Sequence, residues 1–160
     1  MRPKDIGTAA ETAVVKYLRN HGFAGAERRA LAGTFDLGDV VGCVGVCVEV
    51  KGGKAAESAG DGQVAQWLDE TERERINGGA DIGLLVMKRK GVGSENAGRW
   101  WAVLRLRDLT SYLLHTDDPG ADLSGPVRLL LADAVLLLRA LGYGDPLTTT
   151  TSSTLTGDSA

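Results

Sequence analysis

Cysteine, histidine and proline are all scarce here, at two, two and four among 160 residues. Two cysteines give no disulfide framework, and Cys43 and Cys47 lie on one stretch where they read as small buried strand residues. The two histidines, His21 and His115, stand alone, so no second ligand pair completes a zinc site with those thiols. Long apolar runs are missing as well. None reaches the length that spans a bilayer, and the opening MRPKDIGTAAET is polar and helical rather than leader-like. A reducing cytoplasm is the expected setting, with no membrane partner. Nor is there an excess of positive charge. The net charge is −3, which argues against a histone-like, generally adhesive nucleic-acid binder.

What is present describes a globular α/β chain. The hydrophobic fraction is 43% and the charged fraction 24%, and the length suits one domain with extensions. Its centre is the stretch Gly33 to Lys51, GTFDLGDVVGCVGVCVEVK. Six valines make it β-branched, with Gly42 and Gly45 as turn or bulge points. It reads as two antiparallel strands, Gly38 to Val41 and Val44 to Lys51. Alternation along a strand points Glu49 and Lys51 to one face, and a tight hairpin brings Asp39 near Glu49. Each pair alone also reads as an edge strand with a solvated face, or as a turn opening.

Around this centre the chain alternates helix and strand. Ile6, Ala10, Val14, Tyr17 and Leu18 form a helical stripe from about Asp5 to His21, with Gly22 as its stop. Glu11 lies within it, and Thr8-Ala-Ala-Glu11 fits a capping box equally well. Gly25 to Leu31 reads as a first strand and Gly52 to Gly60 as a connection. A second helix is expected from Asp61 to Asn77, with Val64, Trp67, Leu68 and Thr71 inward. Ile82 to Met87 is an apolar strand, Gly91 to Gly98 a mobile polar loop, Trp100 to Leu106 another strand, and Asp108 to His115 a short helix. After the turn at Asp117 to Gly120, Ser124-Gly125-Pro126 opens an expected helix through Leu141, with Ser as N-cap. That helix is apolar on most of its circumference and reads as a packing or dimerisation helix. Residues 143–160 form a Thr/Ser-rich tail, of low complexity from Thr148 and expected to be disordered.

The order of Glu11, Gly38-Asp39 and Glu49-Val50-Lys51, on helix, strand and strand, resembles the PD-(D/E)XK nuclease superfamily. The strings GTAAE, AERRALAGTFDLGDVVG, EVKGG and MKRKG resemble its phage and archaeal-type Holliday junction resolvases. The resemblance covers about residues 5 to 110. It implies a restriction-endonuclease-like core over residues 1–116, in the order αβββαβ: a mixed central sheet flanked by helices. An extra apolar C-terminal helix and its linker then occupy 117–142. Gly38 stands where the superfamily name has proline. Asp39 directly precedes the Val40-Val41 strand and is the preferred ligand, with Asp36 the alternative.

That resemblance implies a metal-dependent endodeoxyribonuclease that hydrolyses phosphodiester bonds in branched or duplex DNA. Mg²⁺, with Mn²⁺ as a substitute, would be held by Glu11, Asp39, Glu49 and the Val50 carbonyl. Magnesium suits a few carboxylate oxygens and keeps most of its waters. Lys51 would position the attacking water or stabilise the transition state. Three carboxylates in one place also imply a raised carboxylate pKa without metal. Gln63 or Gln66 could steer a water or phosphate, and Arg28, Arg29, Lys54, Lys88 and Lys90 are candidate DNA phosphate contacts. A two-fold symmetric junction implies a homodimer with two active sites, working in a bacterial host cell if the chain is phage-encoded. Other nucleases of the superfamily, exonucleases or nicking and restriction types, fit the same spacing. So does a non-catalytic nuclease-fold module, whether DNA-binding or a phage adaptor.

Overall fold

A computed structural model describes residues 2–30, 33, 35–113 and 123–148. Helix α1 spans Pro3–Asn20, with proline in its first turn, where a missing N–H costs nothing. It buries Ala10, Val14 and Leu18 along one stripe. Strands β1 (Glu27–Arg28), β2 (Val40–Val41) and β3 (Val46–Lys51) follow as an antiparallel meander. A short helix α2 (Gly53–Glu57) and the long helix α3 (Asp61–Gly78) then cross over to β4 (Ile82–Met87), which lies parallel beside β3. Such a parallel pair needs a crossover of a dozen residues or more, and α3 supplies it. A 3₁₀ helix (Ser94–Arg99), β5 (Trp101–Arg105), α4 (Leu106–Leu113), β6 (Pro126–Leu130) and α5 (Leu131–Ala140) complete the order. Among the described residues the six strands make one mixed sheet whose spatial order is the chain order.

Alternation along the strands divides the core in two. Val48, Val50, Leu84, Val86, Ala102 and Leu104 face α1 and α5, where Val14, Leu18, Leu131, Val135 and Leu138 are buried against them. Leu85, Met87 and Val103 face Val64 and Leu68 of α3, flanked by half-buried Trp67 and Trp101. Helices therefore cover both faces of the sheet, as an α/β architecture requires.

Several expectations change. Residues 126–130 are not the start of a helix but strand β6, antiparallel to β5 from Trp101↔Leu130 to Arg105↔Pro126. Leucine-rich runs carry no period of their own, and here the unpaired edge of β5 decides the conformation. Pro126 is tolerated because it is the first residue of an edge strand. Helix α5 starts only at Leu131 and packs within its own chain, burying Leu131, Ala134, Val135 and Leu138 and leaving Leu136 69% exposed. The loop expected over Gly91 to Gly98 contains the 3₁₀ helix instead, anchored by the buried Trp100 indole donating to the Val92 carbonyl at 3.0 Å. The connection after β3 includes α2, and β1 is two residues long rather than seven. Of the expected tail, Tyr143 and Asp145 are tied back: the Asp145 carboxylate accepts the Ala24 N–H and Arg139 donates to the Tyr143 carbonyl. His115, the turn from Asp117 to Gly120 and residues 149–160 lie outside the described residues.

Candidate active site

The meander brings Asp39 to Glu49. Gly38 takes φ +86°, and a Cβ there would come within 2.9 Å of the Cys47 sulfur and 3.0 Å of the Val48 carbonyl oxygen. Proline, fixed near −65°, cannot adopt that conformation, which explains glycine at this place. The Asp39 N–H donates to the Val48 carbonyl at 2.9 Å, and its Oδ2 accepts the Val50 N–H at 2.8 Å. Asp39 is thereby locked across the end of β3. The N–H and C=O of one strand residue point to the same side, so the Val50 carbonyl lies on the Asp39 side too. Glu49, 7% exposed, and Lys51 share the α3 face of the sheet, with Lys51 Nζ 2.7 Å from Glu49 Oε1. Lys51 also approaches Glu70 at 3.8 Å and the Trp67 ring at 5.8 Å.

Burial, the Glu49 charge and, more weakly, Glu11 push Asp39 up to about 7, against the pull of its Val50 hydrogen bond. Burial also lifts Glu49 to about 7, opposed by Lys51 and reinforced by Glu74. For Lys51, burial alone would lower the pKa, but Glu49, Glu70 and Asp39 outweigh it and raise it. Glu74 was not expected here. It is 5% exposed, sits beside Glu49, is raised by burial to about 7, and its Oε2 has no hydrogen-bond partner. A signal for it existed: positions 64, 67, 68, 71 and 74 form one inward helical stripe, and only the last carries an acid.

Glu11 stands apart from the other acids. α1 is brought close to the end of β3, because a Cβ on Gly52 would lie 2.6 Å from the Ala10 Cβ. The Glu11 carboxylate nevertheless turns to Arg28, which donates to it at 2.8 Å. Among the described residues no three His, Cys, Asp or Glu side chains lie close enough together, as they stand, to hold a metal ion. As the side chains stand, Glu11 is paired with Arg28 and only its charge reaches Asp39. In kind, the oxygen donors suit magnesium: the Asp39 and Glu49 carboxylates, the Val50 carbonyl, and the orphaned oxygen of Glu74 nearby.

The remaining expected residues divide clearly. Asp36 is exposed, and its carbonyl accepts the Asn77 amide at 3.3 Å; its charge bears on Glu74 and Cys47, whereas Asp39 faces Glu49 directly. Arg29 is a brace: it donates to the Gly38 carbonyl at 2.8 Å and the Leu37 carbonyl at 3.3 Å, holding the turn that presents Asp39. Lys88 pairs with Glu57 at 2.9 Å. Lys54 and Lys90 are exposed, with no ion pair among the described residues. Gln66 donates to Glu70 at 3.4 Å, and so reaches Lys51 through that acid, while Gln63 is exposed one turn earlier. A groove of about 830 Å³ between α1 and the 3₁₀ helix, lined by Lys16, Tyr17, His21 and Arg99, contains none of these acids. Compared with known protein families, with curated proteins and with solved structures, the chain finds no match.

Proposed function

We propose that the chain is a Mg²⁺-dependent DNA endonuclease acting on branched substrates, similar to Holliday junction resolvases of the PD-(D/E)XK superfamily. The observation that carries this reading is Asp39 against the end of β3, with Glu49 and Lys51 beside it on one sheet face. The topology supports it too: a helix, a three-strand meander, then a helical crossover to a parallel fourth strand is the order of a restriction-endonuclease-like core.

Asp39 and Glu49, the Val50 carbonyl, and Glu11 once released from Arg28 would hold the magnesium. Bound there, the ion would offset phosphate charge and make hydroxide available near neutral pH. Asp39 is oriented by the Val50 N–H, so its free oxygen is fixed relative to Glu49. Lys51, kept protonated by Glu49 and Glu70, places a positive charge where negative charge develops in the transition state. Arg28 holds Glu11 in the resting site, and Glu74 keeps a second acid against Glu49. A second reading is favoured by the Glu11–Arg28 pair, which leaves the acids unassembled: a nuclease-fold module that binds DNA without cutting it.

The test is cleavage of a labelled four-way junction beside linear duplex, single strand and flap, by wild type and Glu49→Ala, with Mg²⁺ or EDTA. Paired symmetric nicks on the junction that disappear with the mutation and with EDTA are expected. Metal-dependent cutting of all substrates alike would keep the nuclease and remove the junction preference. No cutting, with binding unchanged in Glu49→Ala, would leave the binding module.

A further inference from the structure

Beyond Lys51, the α3 face of the sheet continues into a second basic feature. Strand register places Lys51 opposite Met87 and Met87 opposite Trp101, two strand spacings or about 10 Å across the sheet. Trp101 is half-buried at the rim of the α3 core, on the same face as Arg128 of β6, whose register partner is Val103. Two guanidinium groups meet at this one indole. Arg89 stands 4.4 Å from the ring centroid and Arg128 5.4 Å. Neither makes an ion pair with a carboxylate among the described residues, unlike Arg28, Lys88, Arg105 and Arg107. Like charges gathered on one ring repel each other, and an anion bridging them relieves that repulsion. Planar guanidinium forks match phosphate oxygens in geometry as well as charge.

We propose that Arg89 and Arg128, gathered on Trp101, form a platform for the phosphates of the nucleic-acid strand that runs on from the candidate active site. The proposal rests on the nuclease reading above and names where its substrate continues. One DNA strand advances about 3.4 Å along the duplex axis per phosphate, and successive phosphates lie further apart than that through space, so a 10 Å offset sets the platform about one to three phosphates from Lys51. The contact is to the backbone and carries no base preference. The platform lies at the β5–β6 side of the sheet, and β6 exists only because residues 126–130 pair with β5 rather than coil.

The experiment is a salt titration of DNA binding in EDTA, by fluorescence anisotropy on a four-way junction. It compares wild type with Arg89→Gln/Arg128→Gln and with Arg89→Lys/Arg128→Lys, after thermal melts establish that each folds. The glutamine pair is expected to lower the slope of log affinity against log salt by about two, and the lysine pair to keep the wild-type slope. Where the glutamine pair fails to fold, the exposed Arg128→Gln alone is read, with an expected change of about one. Wild-type binding with an unchanged slope in the glutamine variant overturns the platform and leaves the nuclease reading standing. Failure of the wild type to bind or cut any of the DNAs overturns the nuclease reading, and the platform with it.

Discussion

Glu74 is the buried acid whose surroundings satisfy it least. Its carboxyl is buried beside Glu49 with one oxygen unpartnered, and Asp39, Glu49 and Glu74 are all held near 7 rather than at their usual values of 3.8, 4.5 and 4.5. The folded chain therefore keeps protons that the unfolded chain releases between about pH 4 and 7. Protons bound in excess by the folded state mean that stability falls as pH rises through this window and levels off above it. The unfolding free energy from urea melts is expected to drop between about pH 4.5 and 8 by several kcal/mol in all, less than three independent shifts would sum to because the acids share one site and titrate together. Glu74→Gln should flatten that dependence and stabilise the protein at pH 8 by about 1–3 kcal/mol. Melts of both proteins across the range measure this directly, and an equally steep curve in the variant would count against a buried charge at Glu74.

The acids of the site were largely legible in the chain, because each depends on short-range geometry. Alternation puts Glu49 and Lys51 on one face, and the hairpin turn returns Asp39 to them. Partners were not legible. Nothing near Arg28, Arg29 or Lys88 in sequence tells that they are engaged within the chain by Glu11, the Gly38 carbonyl and Glu57. Glu74 needed only the helical stripe to be followed one turn further, past Thr71.

Among the elements, β3, β4, α1 and α3 follow from periodicity, while β6 does not. The leucines from 129 to 131 suit helix and strand alike, and the choice falls to the edge of β5, far away in sequence. The same segment decides what α5 is for. Leu138, 2% exposed, lies in the core, whereas Leu136 points outward. Leu138→Ala is expected to cost about 2–5 kcal/mol in a urea melt. Leu136→Ala should stay within about 0.5 kcal/mol. The reverse result would make α5 a docking helix instead of a piece of core.

At the scale of the whole molecule, the apparent boundary near residue 116 is not a boundary in the fold. β6 pairs along five registers with β5, and Leu131, Val135 and Leu138 share one hydrophobic cluster with α1 and the first strands. A chain ended at residue 116 loses that cover and bares the edge of β5. It is expected to lack a cooperative unfolding transition and to bind a hydrophobic dye, read by differential scanning calorimetry and fluorescence. A sharp, two-state transition in the shortened chain would restore the separate C-terminal unit.

Because spatial strand order follows chain order, the protein can be assembled in the sequence in which a ribosome delivers it. Each new strand finds its neighbour already laid down, although the β3–β4 and β5–β6 pairs must each wait for a helix to be made between them. The four acids and Lys51 all precede β4, so the residues of the candidate site are in hand while the last strand and its helix are still being synthesised. For that interval the face awaiting α5 is bare hydrocarbon. The nascent chain is then most exposed to misassociation just when its candidate site has been fully synthesised.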